Sequence, residues 1–177
     1  GARDGWDCTV YPTNCTMIAT EVAETRSPVL IEREIALDSS GPGRERGGSG
    51  QIVKLTSLSD EPLTLGFRPN FIDHPPIGLL KGQAGASAFV EVNGSRERDD
   101  PVILNKGEWV RVRTAGGGGI GDPLTRPLDK VDADWLAGII STKHAQAVYG
   151  AVIEGGQVDY KASQQEREKR LGEIRVS

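Results

Sequence analysis

The chain has 177 residues, 37% of them hydrophobic and 26% charged, which suits one soluble globular domain with a small appendage. A net charge of −4 and a pI near 5.3 exclude an electrostatic case for nucleic acid or an anionic membrane as partner. No apolar run approaches the ~20 residues of a membrane-spanning helix, and 23 glycines beside 5% aromatic residues point to a β-heavy build with many turns.

Residues 1–19 are polar, with Gly1, Gly5, Pro12 and Asn14 as breakers, and read as irregular. Cys8 and Cys15 are close enough in sequence for a disulfide. Two cysteines do not make a secreted scaffold, however, and without a neighbouring His they make a poor zinc site. Asn14-Cys15-Thr16 and Asn93-Gly94-Ser95 fit the glycosylation pattern, but no signal-peptide pattern opens the chain and the reading is cytosolic. Met17 is the only methionine, so a processed product or a piece of something longer is expected.

Strand signals follow. β-Branched or alternating residues predict strands over Thr20–Glu24, Leu30–Leu37, Gln51–Leu58, Leu63–Phe67, Ala88–Val92, Val102–Leu104 and Glu108–Arg113. Asp38–Gly50 reads as a glycine-rich loop, Arg68–Gly85 as proline- and glycine-broken, and Asn93–Asp100 as a charged hairpin loop. Thr114–Pro123 then places four consecutive glycines, Ile120 and a fifth glycine between a strand and a turn. Glycine orders at the highest entropic cost, so such a run implies a need for positive φ or close backbone approach.

Beyond it the period becomes helical. Val131, Trp135, Gly138 and Ile139 predict a helix capped by Asp129 or Asp132. Thr142–Val148 predicts a second, capped by Ser141 and stopped at Gly150. Ala151–Ile153 and Gln157–Asp159 suggest a hairpin, and Ser163-Gln164-Gln165-Glu166 matches a capping box opening a terminal helix to about Ile174. The expected fold is α+β: a mainly antiparallel β-domain with glycine-rich loops (1–123), then a small helical appendage (124–177).

Candidate chemistry is sparse. The glycine run lacks the Gly-Lys-Ser/Thr ending of a P-loop, and Asp122-Pro123 stands where an anion would meet a helix; it reads as a tight structural turn. His74 beside Asp73 offers at most a metal pair without a third ligand, and a hydrogen-bonded histidine in a proline-rich turn is the simpler reading. His144 reads as a surface or packing residue. Arg44 and Arg46 could grip a carboxylate or phosphate bidentately, or pair with Asp38 or Glu32 to pin a loop. Neither Cys nor any Ser is placed as an activated nucleophile, so catalytic residues stay unassigned.

Four ordered motifs resemble the C-terminal part of the B subunit of hydantoinase/oxoprolinase enzymes, a family that includes subunits of acetone- and acetophenone-type carboxylases. The first is Thr13-Asn14 with Glu21-Val22, Glu24 and Pro28. The second is Asp38-Ser39-Ser40-Gly41-Pro42-Gly43-Arg44-Glu45-Arg46-Gly47-Gly48-Ser49-Gly50. The third is Pro75-Pro76-Ile77-Gly78-Leu79 with Gly82 and Gly85. The fourth is Thr114 and Gly116 through Pro123, with Arg126, Val131, Asp134, Gly138, Ser141, Ala145 and Tyr149-Gly150.

The resemblance implies one portion of an ATP-dependent cyclic-amide hydrolase complex, serving as scaffold, pocket wall and subunit interface. Its implied partners are an A-type ATPase subunit and the N-terminal portion of the B-type subunit. ATP/Mg and a divalent metal would serve the complex, the metal held by that N-terminal portion and not by this segment. Arg44, Arg46, Arg68, His74 and Asp122 are the candidate pocket or interface residues. Met17-Ile18-Ala19, where the family often has Asn-Thr-Pro, keeps a ketone carboxylase as the alternative, and a non-catalytic assembly module is the third reading.

Overall fold

A computed structural model describes residues 3–9, 18–67, 70–97 and 101–176. Cys15, Met17, Arg68 and the Thr13-Asn14 motif lie outside them. The fold is mixed α+β: antiparallel sheets come first and the main helices follow.

The first element departs from expectation. Thr20–Arg26 is a helix, α1, not a strand. Five residues cannot separate a period of 2 from one of 3.6, and Glu21, Ala23, Glu24 and Arg26 are helix formers that outweigh Thr20 and Val22. The helix ends before Pro28, which disfavours helical backbone at the preceding residue. Glu24 then accepts the Ile31 N–H at 2.8 Å, clamping α1 onto the next strand.

That strand, β1 (Val29–Ile35), pairs with β2 (Gln51–Ser57), and β2 with β7 (Trp109–Arg113). β7 pairs in turn with β4 (Phe89–Val92), and β4 with β5 (Ser95–Glu97). The result is a five-stranded antiparallel sheet in the order β1-β2-β7-β4-β5. Within the expected loop at Asn93–Asp100, Ser95–Glu97 forms a strand instead, because Asn93 (φ 47°) and Gly94 (φ 91°) make the left-handed two-residue turn that matches strand twist. β3 (Leu63–Leu65) pairs with β6 (Val102–Leu104). Val90, Val102, Leu104 and Val110 form the core between these sheets, with Leu55, Leu65 and Phe67 against it. The opposite sheet face is charged: Lys54 bonds Glu32 at 2.8 Å, and Arg111 lies 3.6 Å from Glu34.

The glycine run is not a turn. Residues 39–50, 76–86 and 114–121 run together, and each hydrogen-bonds through its backbone to the other two. Gly117 accepts from Gly41 at 2.7 Å and donates to Gly48 at 2.8 Å. Gly119 donates to Gln83 and accepts from Leu79, both at 2.9 Å, and Gln83 donates to Pro42 at 2.7 Å. Three backbones converge, so no side chain fits between them. A Cβ on Gly116 would overlap the Ser39 carbonyl, and one on Gly118 the Ile77 carbonyl. Collagen meets the same crowding with the same residue. Of the run, only Gly121 has positive φ (+80°); close approach, not turn formation, is the main reason for glycine here.

The chain then passes through a short 3-10 turn (Pro123–Thr125), whose Asp122 side chain accepts the Leu124 N–H at 3.0 Å. Next come α2 (Leu128–Leu136), α3 (Thr142–Tyr149), the hairpin β8 (Val152–Glu154) and β9 (Gln157–Asp159), and α4 (Tyr160–Val176). Ser141 caps α3 at the His144 N–H, and Gly150 ends it in the left-handed region, as the sequence predicts. Two caps differ. α2 starts after Pro127 without a side-chain cap, Asp129 lying in its first turn. α4 starts at Tyr160, one turn ahead of the capping-box match. Asp159 accepts the Ala162 N–H at 2.9 Å, leaving Ser163 to accept the Val152 N–H at 2.8 Å and hold the hairpin to the helix. Val131, Ile139, Ile140, Ala145, Tyr149, Ala151 and Val158 form a second core here.

Candidate functional site

The end of β7 carries the sheet into the glycine lattice, and a cavity of about 500 Å³ opens at that junction. Its walls include Cys8, Phe67, Asn70, Phe71, Arg113 and the backbone of Thr114–Gly117. The size falls within the roughly 300–1,000 Å³ of small-molecule sites, and the mix of aromatic walls with few polar groups is their usual lining. Arg113 is fixed rather than free: its guanidinium donates to the Ser87 carbonyl at 2.6 and 3.1 Å and lies 4.7 Å over Phe89, a ring it shares with Arg96. Burial, then the charges of Arg96 and Arg111, lower its affinity for the proton. The Cys8 thiol is pushed up by burial and by the Asp7 charge, which makes it a neutral thiol and not a nucleophile at neutral pH. The cavity can enclose and orient a small molecule; its described walls bring no activated nucleophile to it.

Beside the cavity lies a buried ion network. Arg46 (6% exposed) grips Asp7 bidentately at 2.7 and 2.9 Å and bonds Asp134 of α2 at 3.0 Å. Arg126 (1% exposed) grips Asp4 bidentately at 2.6 and 3.0 Å and bonds the second Asp134 oxygen at 2.7 Å. One carboxylate from α2 therefore bridges two arginines, and two more arrive from the segment Arg3–Thr9. Burial alone would raise the Asp4 carboxyl, yet Arg126, the Arg46 N–H and Lys130 together hold it below its ordinary value. Asp7 is likewise lowered, its burial outweighed by Arg46 and the Ser49 N–H. Arg46 and Arg126 are raised in spite of burial by the same carboxylates. Arg167 of α4 closes the network, donating to the Tyr149 carbonyl at 2.7 Å and the Arg126 carbonyl at 2.6 Å.

The structure separates the sequence-predicted candidates. Arg46 is buried in this network, paired with Asp7 and Asp134 and not with Asp38 or Glu32. Asp38 instead accepts the Ser141 N–H at 2.6 Å, joining the lattice to the start of α3. Arg44 is exposed, with its carbonyl bonded to Arg126. His74 is exposed and Asp122 caps the 3-10 turn, so neither lines the cavity; Arg68 lies outside the described residues. His144 is half-buried beside Tyr149, and that burial lowers its pKa despite Asp38 nearby. Among the described residues no three His, Cys, Asp or Glu side chains converge to hold a metal ion.

Sequence reasoning passed over Asp4, Asp7, Arg113, Arg126, Asp134 and Arg167 as site residues. One signal was available for Asp134: it follows Val131 by three residues on the inner face of α2, and a carboxylate among core positions needs a cation. Arg126 lies only eight residues before it, but Arg46 meets Asp134 across 88 residues and Asp4 meets Arg126 across 122, and nothing local marks those pairs.

Comparison with known proteins adds the following. The family model described as hydantoinase B/oxoprolinase matches residues 1–123. The caprolactamase subunit beta of Pseudomonas jessenii is 36% identical over 159 residues, which is 83% of this chain and 27% of that protein. The solved ATP-dependent caprolactamase of the same organism superposes with a TM-score of 0.68 at 31% identity, over 85% of this chain and 28% of that one. Nucleotide-free acetone carboxylase superposes with a TM-score of 0.79 over 99% of this chain and 29% of that one; its 20% identity speaks to fold alone. The chain thus spans under a third of the length of each.

Proposed function

Because the chain belongs to the hydantoinase B/oxoprolinase family, we propose that it serves as the C-terminal portion of the B-type subunit of an ATP-dependent cyclic-amide hydrolase. In that reading it works in the cytoplasm as scaffold, pocket wall and subunit interface. Its partners are an A-type ATPase subunit, which uses ATP/Mg, and the N-terminal portion of the B-type subunit, which holds a divalent metal. The observation that carries the hydrolase reading is the sequence identity to the caprolactamase beta subunit.

Two features of the molecule support the role. On one side the cavity at the end of β7 is walled by the lattice segment Thr114–Gly117, which backbone hydrogen bonds hold in place, as suits a fixed part of a pocket wall. Three apolar side chains of the lattice segment 76–86, those of Ile77, Leu79 and Leu80, are exposed. Leu80 (φ 51°) and Lys81 (φ 73°) hold left-handed backbone there, a conformation that non-glycine residues keep only when their surroundings impose it. The proposed division is a β-rich unit at 1–123 and a helical unit at 124–177, supported by their separate apolar cores.

ATP turnover by the complex purified from its source tests the reading. Turnover that depends on a lactam, hydantoin or 5-oxoproline supports it. Turnover that requires bicarbonate and a ketone would assign a carboxylase instead. A chain that joins no ATPase subunit would be a non-catalytic module.

A further inference from the structure

The segment Arg3–Thr9 is attached in an unusual way. None of its residues is buried, and its one large apolar side chain, Trp6, is 68% exposed and stacks on Arg3 of the same segment at 4.8 Å. Its attachment is polar. Asp4 and Asp7 each take a whole guanidinium, from Arg126 and Arg46. The same carboxylates accept the Arg46 and Ser49 N–H groups at 2.8 and 2.7 Å. Gly5 and Cys8 donate to the Arg46 and Ser49 carbonyls at 2.9 and 2.8 Å, as an added strand would.

The receiving surface is complementary in charge. Arg46 and Arg126 bring two positive charges to nearly full burial, and Asp134 is the one carboxylate that the folded body itself supplies to both. Lys130 is engaged with Glu45 at 2.8 Å and lies 3.7 Å from Asp4. Without the segment, two guanidinium charges are left to share the single carboxylate of Asp134.

We propose that Arg46 and Arg126 form a recognition socket for a peptide carrying two carboxylates three residues apart, and that Arg3–Thr9 is its built-in ligand, a releasable strap. Bidentate arginine reads a planar carboxylate, and two such forks in fixed positions read the spacing. The strap also contributes Cys8 to the cavity wall, so its release opens that wall. The inference stands apart from the catalytic reading, since it rests on the socket geometry alone.

The test uses the full chain with Cys15→Ser, which leaves Cys8 as the single thiol. In the Asp4→Asn/Asp7→Asn variant, Cys8 alkylation, compared at equal thiolate fraction because loss of the Asp7 charge itself lowers the thiol pKa, should accelerate about tenfold or more as the strap opens. A fluorescent peptide of residues 1–9 should bind that variant saturably. The wild-type chain, whose socket is filled, should not bind it, and the same peptide with both Asp changed to Asn should bind neither. A folded variant with unchanged Cys8 alkylation and no peptide binding would overturn the proposal. Should the variant fail to fold, hydrogen exchange on the wild-type chain decides. The Gly5 and Cys8 amides should exchange through a local opening that salt promotes while core amides such as Val110 stay protected. Exchange of both sets together, by global unfolding only, would overturn it.

Discussion

The glycine lattice and the helical unit solve the same packing problem in opposite ways. Around Val131 and Tyr149, side chains fill the space between elements, and the helices and the hairpin carry their own backbone ladders. Between residues 39–50, 76–86 and 114–121, backbones touch directly and their hydrogen bonds cross from segment to segment. The difference teaches which atom matters. In the helical unit a missing methyl group leaves a void; in the lattice an added one has nowhere to go. The network of Arg46, Arg126 and Asp134 lies at the seam and ties one regime to the other.

The sharpest break of this contrast is Gly116→Ala. The new Cβ would overlap the Ser39 carbonyl, and a backbone contact cannot yield as a side chain can. The expected outcome in a thermal melt and in soluble yield is loss of the fold, or destabilisation above the roughly 1–3 kcal/mol of ordinary overpacking. Arg126→Met comes next. It removes a fully buried cation from Asp4 and Asp134 and should cost about 3–5 kcal/mol in denaturant unfolding, the usual result of breaking one side of a buried pair. Ile140→Ala, in the helical core, should cost about 2–5 kcal/mol through lost burial and a residual void.

Acid should weaken the seam in two stages. The His144 pKa is lowered by burial, so the unfolded chain takes up that proton first; stability is full above about 6.5 and declines as pH falls through that region toward the folded value. Asp4 and Asp7 are also lowered, so their contribution is present above about 3.9 and is lost as pH falls through their folded values. Melting temperature against pH should show both declines, and His144→Gln should flatten the first alone. The smallest effect belongs to Tyr149→Phe. The Tyr149 hydroxyl is buried with no hydrogen-bond partner among the described residues, so its removal should leave the melt nearly unchanged.

Legibility in the sequence divides along the same line. Strands with alternating or β-branched residues, such as Gln51–Ser57 and Trp109–Arg113, announce themselves because the sheet has one apolar face. α3 is legible because Ser141 and Gly150 mark both ends. The lattice is legible only as composition: a glycine run says that backbone comes close to something, and the partner lies some seventy residues away in the chain, as for Gly117 and Gly48. The site suffers the same limit. Arg46 could be singled out as a bidentate cation, but its partners Asp7 and Asp134 are far off in sequence, and nearer acids such as Asp38 have other duties.

The proposed place of this chain in a larger enzyme is tested most directly by native mass spectrometry of the complex purified through it. The expected result is a defined assembly in which the chain travels with an ATPase subunit and with the N-terminal portion of a B-type subunit. A chain that emerges alone, from cells where it is intact and folded, would contradict it.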